Sequence, residues 1–115
     1  MSKAADFPSF KKRGGLVIVI IQDADTKAVL MHGFMDSLAL AKTLETGEVY
    51  LWSTSRNKFW HKGEESGNVM RWESLAADCD GDAVLIQVRV IGNGYACHLE
   101  RKSCFVPIDT ATISF

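Results

Sequence analysis

The sequence Leu16-Val17-Ile18-Val19-Ile20-Ile21 is a short and almost entirely β-branched run. A run of this kind predicts a strand that is buried on both of its faces. The polar residues 23–27 that follow are typical of a turn, and residues 28–34 form a second run with strand character. Residues 16–34 are therefore predicted to form a β-hairpin.

One main helix is predicted, over about residues 36–46. Asp36 is a suitable N-cap because its carboxylate can accept hydrogen bonds from the first unpaired backbone amides of a helix. Gly47 stands where a glycine commonly ends a helix in the left-handed conformation. Between these two residues, apolar side chains recur at helical spacing: Leu38, Ala41 and Leu44.

Further strands are predicted at residues 49–54, 59–60, 68–77 and 83–91, with turns between them. Alternation in segment 68–77 predicts one face made of Met70, Trp72 and Ala76. Alternation in segment 83–91 predicts an apolar face made of Val84, Ile86, Val88 and Val90. The predicted fold class is therefore mainly β, on the border of α+β, with one helix in a compact domain.

Composition and charge exclude several classes of partner. The 115 residues carry a formal net charge of −1 and no basic tract, so we expect neither nucleic acid nor a membrane surface. No apolar run reaches the roughly 18 residues of a membrane span. Residues 1–10 lack the apolar core of a signal peptide, which predicts a cytoplasmic location. The predicted organisation is a flexible N-terminal segment at 1–13, a single domain at 14–106 and a C-terminal tail at 107–115.

The segment Asp78-Cys79-Asp80-Gly81-Asp82 alternates carboxylates with a thiol and a glycine. In an extended segment the aspartates would share one face and Cys79 would lie on the other. Carboxylates suit magnesium, whereas a thiolate suits zinc. An EF-hand is excluded because Ala83 and Arg89 occupy the positions that need glycine and glutamate. A metal site and an exposed acidic turn both remain open at this point.

The chain contains three cysteines, which cannot all pair with one another: Cys79, Cys97 and Cys104. They show no C-x-x-C spacing of structural zinc sites, although His98 could complete a set of four ligands. Three protein ligands with one open position are typical of catalytic zinc, which acidifies a bound water. The alternative is three small buried hydrophobic residues.

A second set of residues combines hydroxyl groups, cations, a glycine turn and one aromatic ring. Hydroxyl groups, backbone amides, arginine and lysine are the groups that hold phosphate in proteins. A tryptophan among them can stack on a nucleobase or belong to the core. The candidates for substrate binding are Ser55, Arg56, Trp60, Lys62, Ser66 and Gly67.

Taken together, these motifs resemble the phosphoribosyl-AMP cyclohydrolase family of histidine biosynthesis, whose members open the adenine ring of phosphoribosyl-AMP. The resemblance runs from about Val17 to Phe105. It is carried by ordered blocks: Gln22-Asp23-Ala24, Phe34-Met35, Trp52-Ser53-Thr54-Ser55-Arg56, Trp60-His61-Lys62-Gly63-Glu64, Ser66-Gly67, Asp78-Cys79-Asp80-Gly81-Asp82, Ala96-Cys97-His98 and Ser103-Cys104-Phe105.

The resemblance implies an obligate homodimer with a mixed β-sheet or pseudo-barrel fold and metal sites at its interface. It assigns Asp78, Asp80 and Asp82 to magnesium. It assigns Cys79, Cys97 and Cys104 to one zinc ion per subunit, with Cys79 supplied by the partner subunit. The implied reaction is hydrolysis of the N1–C6 bond by zinc-activated water, with His98 as the catalytic proton carrier.

This sequence departs from the family pattern at two places. Leu99-Glu100 stands where Thr-Gly is usual after the Cys97-His98 pair, and Asn68-Val69-Met70 stands where His-Val-Gln is usual. These departures leave open altered substrate handling, reduced activity or a divergent paralogue that acts on another purine nucleotide. The alternative from another class of function is a non-catalytic dimer held together by zinc.

Overall fold

Six strands and one α-helix make up the regular structure of the computed structural model, which describes residues 9–11 and 14–114. The strands form one sheet in the order β4-β3-β2-β1-β6-β5. The elements are β1 Val17–Asp23, β2 Val29–Met35, α1 Ser37–Thr46, β3 Tyr50–Ser53, β4 Lys58–His61, β5 Met70–Ala77 and β6 Ala83–Val90. A mainly β fold with one main helix is thereby confirmed.

The sheet is mixed, because β1 pairs antiparallel with β2 and parallel with β6. It also curls into a half-barrel. The curl brings residues 47–49, just before β3, onto the outer edge of β5, where Val49 N–H donates to Met70 O at 2.9 Å and Trp72 N–H donates to Gly47 O at 3.1 Å. These bonds satisfy backbone groups that an open sheet edge would leave unpaired.

The core lies inside the curl. Every second residue of β1 and β6 is buried there: Val17, Val19, Ile21, Val84, Ile86 and Val88. The predicted apolar face of segment 83–91 is thus confirmed, with Val90 half-buried at its end. The prediction that β1 is buried on both faces is only partly right, since Ile18 and Ile20 on its outer face are half-buried.

The predicted face of β5 is wrong at its second half. A bulge between Trp72 and Ser74 shifts the register of β5 against β6. Leu75 therefore packs against the core and Ala76 is exposed. An extra residue in one strand moves every following side chain to the opposite face, which simple alternation does not anticipate.

Both predicted ends of the helix are confirmed. The Asp36 carboxylate accepts a hydrogen bond from Ala39 N–H at 2.8 Å, and Gly47 ends the helix at a φ of 79°. The buried side chains, however, are Ala39 and Thr43. The three apolar residues at helical spacing, Leu38, Ala41 and Leu44, are exposed.

Thr43 takes the buried position because it ties the helix to the sheet. Its hydroxyl donates to Ala39 O at 2.8 Å and accepts from Tyr50 N–H at 2.9 Å. The indole of Trp72 donates to Thr43 O at 2.8 Å. A polar residue is tolerated in this core because each of its hydrogen-bonding groups is paired.

The segment 14–106 as one domain and the tail at 107–115 stay predictions, although a short 3-10 turn forms at Thr110–Thr112. Residues 1–8, 12 and 13 of the predicted N-terminal segment lie outside the described residues. The helices among residues 9–11 and 14–114 are all too short or too polar to span a lipid bilayer.

Candidate active site

A cavity of about 920 Å³ opens beside β4 and brings together most of the predicted site residues. Its walls come from the β3–β4 turn, β4 itself, the loop after β4 and the segment after β6. The predicted residues that line it are Ser55, Arg56, Trp60, Lys62, Ser66, Cys97, His98 and Cys104. Gly67 and the segment 78–82 are not among the described residues that line it.

Cys97 lies at the start of a tight turn whose backbone is fixed by hydrogen bonds. Cys97 N–H donates to Arg101 O at 3.1 Å, and Glu100 N–H donates to Cys97 O at 3.0 Å. Inside the turn, Leu99 N–H donates to the Cys97 sulfur, and this bond is the main reason that the pKa of the Cys97 thiol lies below its usual value. The turn therefore favours a thiolate at Cys97.

Cys104 is placed by an unpaired edge of the sheet. Strand β2 pairs with β3 only at Phe34, so the backbone of β2 near Leu30 is open to the returning chain. Cys104 N–H donates to Leu30 O at 2.7 Å, and the Ser103 hydroxyl donates to Val29 O at 2.7 Å. These bonds hold Cys104 opposite Cys97.

The two thiols are close enough to share a hydrogen bond. Partial burial of its sulfur, followed by its hydrogen bond to Cys97, raises the pKa of the Cys104 thiol, although the residue as a whole is exposed. These opposite shifts make Cys97 lose its proton more readily than Cys104 does. Adjacent sulfur atoms of this kind suit a soft divalent metal such as zinc.

Lys62 brings a positive charge to the same place. Its ammonium nitrogen lies 5.6 Å from the centre of the Trp60 ring, and it interacts electrostatically with both thiols. Burial is the main reason that the pKa of Lys62 lies below its usual value. The cavity thus places a half-buried cation beside the two sulfur atoms.

The three aspartates of segment 78–82 also come together, but through a turn and not through an extended strand. Gly81 N–H donates to Asp78 O at 3.1 Å, and Gly81 has a φ of 79°. One carboxylate oxygen from each aspartate lies within 4.8 Å of the others. Convergent carboxylates offer a suitable donor set for a hard cation such as magnesium.

The two groups of predicted metal ligands are separate within one chain. Cys79 is exposed in the turn between β5 and β6 and does not line the cavity. Among residues 9–11 and 14–114, only the aspartates place three potential ligand atoms within 4.8 Å of one another. Cys79, Cys97 and Cys104 therefore do not form a three-ligand site inside a single chain, and His98 does not complete one.

Comparison with known proteins identifies the family. A sequence model described as phosphoribosyl-AMP cyclohydrolase matches residues 31–106. The chain belongs to the phosphoribosyl-AMP cyclohydrolase family. It is similar to the phosphoribosyl-AMP cyclohydrolase of Syntrophotalea carbinolica, with 53% identity over 96 residues that cover 84% of this chain and 76% of the relative.

Two further relatives carry the same name. The chain is 52% identical over 101 residues to the protein of Pelotomaculum thermopropionicum, covering 87% of this chain and 77% of the relative. It is 52% identical over 91 residues to the protein of Chelativorans sp., covering 79% of this chain and 66% of the relative. The aligned part thus spans about two thirds to three quarters of these cyclohydrolases.

Each departure from the cyclohydrolase pattern places one residue in the wall of the cavity, Asn68 in one and Glu100 in the other. Asn68 is buried, and its side-chain oxygen accepts a hydrogen bond from Asn93 N–H at 2.7 Å. It therefore ties the loop after β4 to the turn after β6. Glu100 has a φ of 63°, a left-handed conformation in which glycine carries no steric penalty.

One interaction at the cavity wall, between His61 and Glu48, was not predicted from the sequence. His61 lines the cavity, and its Nε2 lies 2.6 Å from the Glu48 carboxylate, while its ring stacks on Tyr50 with centroids 4.6 Å apart. Glu48 and His61 are far apart in sequence and meet only because β3 pairs with β4. Glu48 precedes His61 by 13 residues, a separation that gives no local sequence signal for such a pair.

Glu100→Gly is expected to stabilise the protein by about 0.5–1 kcal/mol, because glycine removes the steric cost of the left-handed conformation. Chemical denaturation of both proteins measures the difference in free energy of unfolding. Glu65→Gly is the matched control: Glu65 is exposed and is not among the described residues with positive φ. The control should be destabilised, and a gain of equal size in both variants would contradict the explanation.

Proposed function

We propose that this chain hydrolyses the N1–C6 bond of the adenine ring in phosphoribosyl-AMP, the reaction named by its family. The enzyme is thus a hydrolase that acts on a carbon–nitrogen bond in histidine biosynthesis. The observation that carries the proposal is the cavity of about 920 Å³, in which two adjacent thiols, a histidine and several cations face a space large enough for a nucleotide.

The two thiols fit a zinc ion, and we assign Cys97 and Cys104 to it. Cys79 of a second subunit is the proposed third ligand, which gives one zinc ion per subunit and leaves one position open. Zinc bound there supplies Lewis acidity that makes water a nucleophile near neutral pH. The separation of Cys79 from the other two cysteines in one chain supports a site shared between two chains.

Exposed apolar side chains next to the cysteines support the homodimer. Leu99 is 56% exposed in the turn that follows Cys97, and Phe105 and Val106, directly after Cys104, are each 54% exposed. Burying such side chains against a second subunit is favourable by roughly 25 cal/mol for each Å² of apolar surface. The same contact would bring the partner subunit to the edge of the cavity.

Asp78, Asp80 and Asp82 are the proposed magnesium ligands, since their oxygens converge and carboxylates are hard donors. Part of Asp78 is engaged already, because one of its carboxylate oxygens accepts from Ala83 N–H at 3.2 Å. Closely spaced carboxylates repel one another, and a bound cation relieves that repulsion.

The protein's own residues bind the substrate and move its protons. In the reaction, the oxygen of water bonds to C6, the N1–C6 bond breaks, and one proton of that water ends on N1. His98 is exposed in the cavity wall and is the proposed carrier of that proton. Ser55, Arg56 and Ser66 are the proposed phosphate contacts, and Trp60 offers an aromatic face to the base.

Lys62 and Gly67 complete the set of substrate contacts predicted from the sequence. Lys62 lines the cavity, whereas Gly67 lies in the adjoining turn.

The cytoplasmic location of the protein also stays a prediction.

Ring opening changes the ultraviolet absorbance of the nucleotide, so a spectrophotometric assay tests the proposed function directly. Purified protein supplied with zinc and magnesium should turn over phosphoribosyl-AMP. Absence of turnover together with full zinc occupancy would contradict the proposal. Turnover of another purine nucleotide alone would then indicate a divergent paralogue, and no turnover at all a non-catalytic dimer.

Asp80→Asn tests the magnesium assignment. The substitution keeps the size of the side chain and removes one negative charge, so we expect at least a tenfold loss of kcat/KM, about 1.4 kcal/mol or more in the transition state. Zinc content and unfolding temperature should stay unchanged. Asp109→Asn is a matched control in an exposed 3-10 turn outside the cavity, and it should retain full activity.

A further inference from the structure

Lys62 is placed unlike the other cations of the cavity. It is half-buried, its ammonium lies 5.6 Å from the centre of the Trp60 ring, and it interacts electrostatically with both Cys97 and Cys104. Within the described part of the chain no ion pair joins it to a carboxylate, and the two thiols are the groups whose charge affects its pKa. Its charge is thus directed at the sulfur atoms.

The charge of the loaded site explains why a cation is needed there. Two thiolates and one divalent zinc ion are neutral together, whereas three thiolates and one zinc ion carry one negative charge. A negative charge in a half-buried site is costly unless an opposite charge lies near it. A lysine beside the site should therefore stabilise bound zinc more strongly when three thiolates coordinate the ion than when two do.

We propose that Lys62 is a charge-compensating residue that stabilises the three-thiolate form of the zinc site, with Trp60 holding its side chain in place. This inference rests on the proposed function, because it takes Cys79 of the partner subunit as the third ligand. It differs from the prediction that Lys62 binds a phosphate of the substrate. A phosphate contact would affect substrate binding and leave zinc binding unchanged.

Two other cations provide a comparison. Arg101 also interacts electrostatically with both thiols, but it is exposed and does not line the cavity. Lys58 belongs to the same strand as Trp60 and is exposed, and neither thiol interacts with it. Water screens exposed charges, so the effect of Arg101 should be smaller than that of Lys62.

The first experiment measures zinc affinity by competition with a chromogenic chelator, without substrate. Lys62→Met should weaken zinc binding by about 10- to 100-fold, the usual effect of removing a residue that supports metal ligands. Lys62→Arg keeps the charge and should stay close to the wild type. Arg101→Met should have a smaller effect, and Lys58→Met none. Circular dichroism and thermal unfolding of each variant verify that it is folded.

The second experiment repeats Lys62→Met in a Cys79→Ser background. With only two thiolates left, the loaded site is neutral, so Lys62→Met should then change zinc affinity by less than about twofold. This coupling is the signature of charge compensation. An equal loss of affinity in both backgrounds would show that Lys62 only supports the local structure, and it would overturn the inference.

Failure of the inference can be told apart from failure of the proposed function. If Cys97→Ser loses zinc but Lys62→Met retains it and raises only the KM for phosphoribosyl-AMP, Lys62 is a phosphate contact and the inference is wrong. If Cys97→Ser and Cys79→Ser both retain zinc at wild-type affinity, the three-thiolate site itself is wrong.

Discussion

Cys97→Ser is expected to abolish zinc retention and to lower kcat/KM by about 10³-fold or more, since a catalytic metal contributes several kcal/mol to the transition state. The serine hydroxyl fits the tight turn in place of the thiol but is a poor ligand for zinc. Metal analysis after dialysis, combined with the absorbance assay, measures both effects. Ser114→Ala, at an exposed residue that does not line the cavity, is the control and should keep its zinc.

Cys79→Ser should lower kcat/KM as much and release its zinc during dialysis, although Cys79 is exposed and lies outside the cavity of its own chain. The two remaining thiols should keep a weaker zinc affinity that a competing chelator can measure. A mixture of the two variants then tests whether the site is shared between subunits. Unfolding and refolding an equimolar mixture makes about half of the dimers mixed, and one of the two sites in each mixed dimer has all three cysteines. About a quarter of the wild-type activity should return.

A mixture that stays inactive would contradict the shared site, provided that chromatography shows mixed dimers. Full activity of Cys79→Ser alone would contradict the assignment of Cys79 as a ligand. Each variant refolded by itself is the necessary control, because refolding without a partner variant should restore nothing. The test needs no structure of the complex, since it depends only on which chain supplies which cysteine.

Most of the secondary structure could be predicted because it follows local patterns. The β-branched run of β1 and the alternation of β6 indicate these two adjacent strands, and Asp36 and Gly47 indicate the ends of the helix. The errors arose where a contact between distant residues overrides the pattern. The bulge after Trp72 places Leu75 against the core and leaves Ala76 exposed. No local sequence preference predicts such a bulge.

The helix face was misjudged for the same reason. Leucine at helical spacing indicates a helix, but the face that is buried depends on the contacts that the sheet can make with the helix. Here Thr43 bonds to Tyr50 and receives the indole N–H of Trp72, so polar contacts fix the rotation of the helix. Leu38 and Leu44 are left at the surface.

For the site, the sequence identified the types of ligand and eight of the residues that line the cavity, but not their arrangement. Thiols, carboxylates and cations are recognisable from their chemistry wherever they occur. That Cys97 and Cys104 meet while Cys79 stays apart depends on the open edge of β2 near Leu30, a consequence of the sheet topology. The pairing of Glu48 with His61 could not be predicted either, because it also depends on the sheet topology, here the pairing of β3 with β4.

Gly63→Ala is expected to cost about 2–4 kcal/mol of unfolding free energy, because strain and overpacking add together. Gly63 directly follows Lys62 and has a φ of 88°. A Cβ added there would lie 2.3 Å from Asn68 O and 2.5 Å from Val69 N. These are backbone atoms, which cannot rotate away as a flexible side chain could. The loop between β4 and β5 must therefore shift, and the cavity wall shifts with it.

Gly67→Ala separates the two contributions. Gly67 has a φ of 80°, close to that of Gly63, but an added Cβ would meet nothing within 4 Å. This variant carries the backbone strain alone and should lose about 1 kcal/mol. Denaturant unfolding gives both values, and equal losses would mean that the close approach of Gly63 to Asn68 is unimportant. A larger loss in Gly63→Ala, with weaker zinc binding, would show that this approach also sets the position of Lys62 beside the thiols.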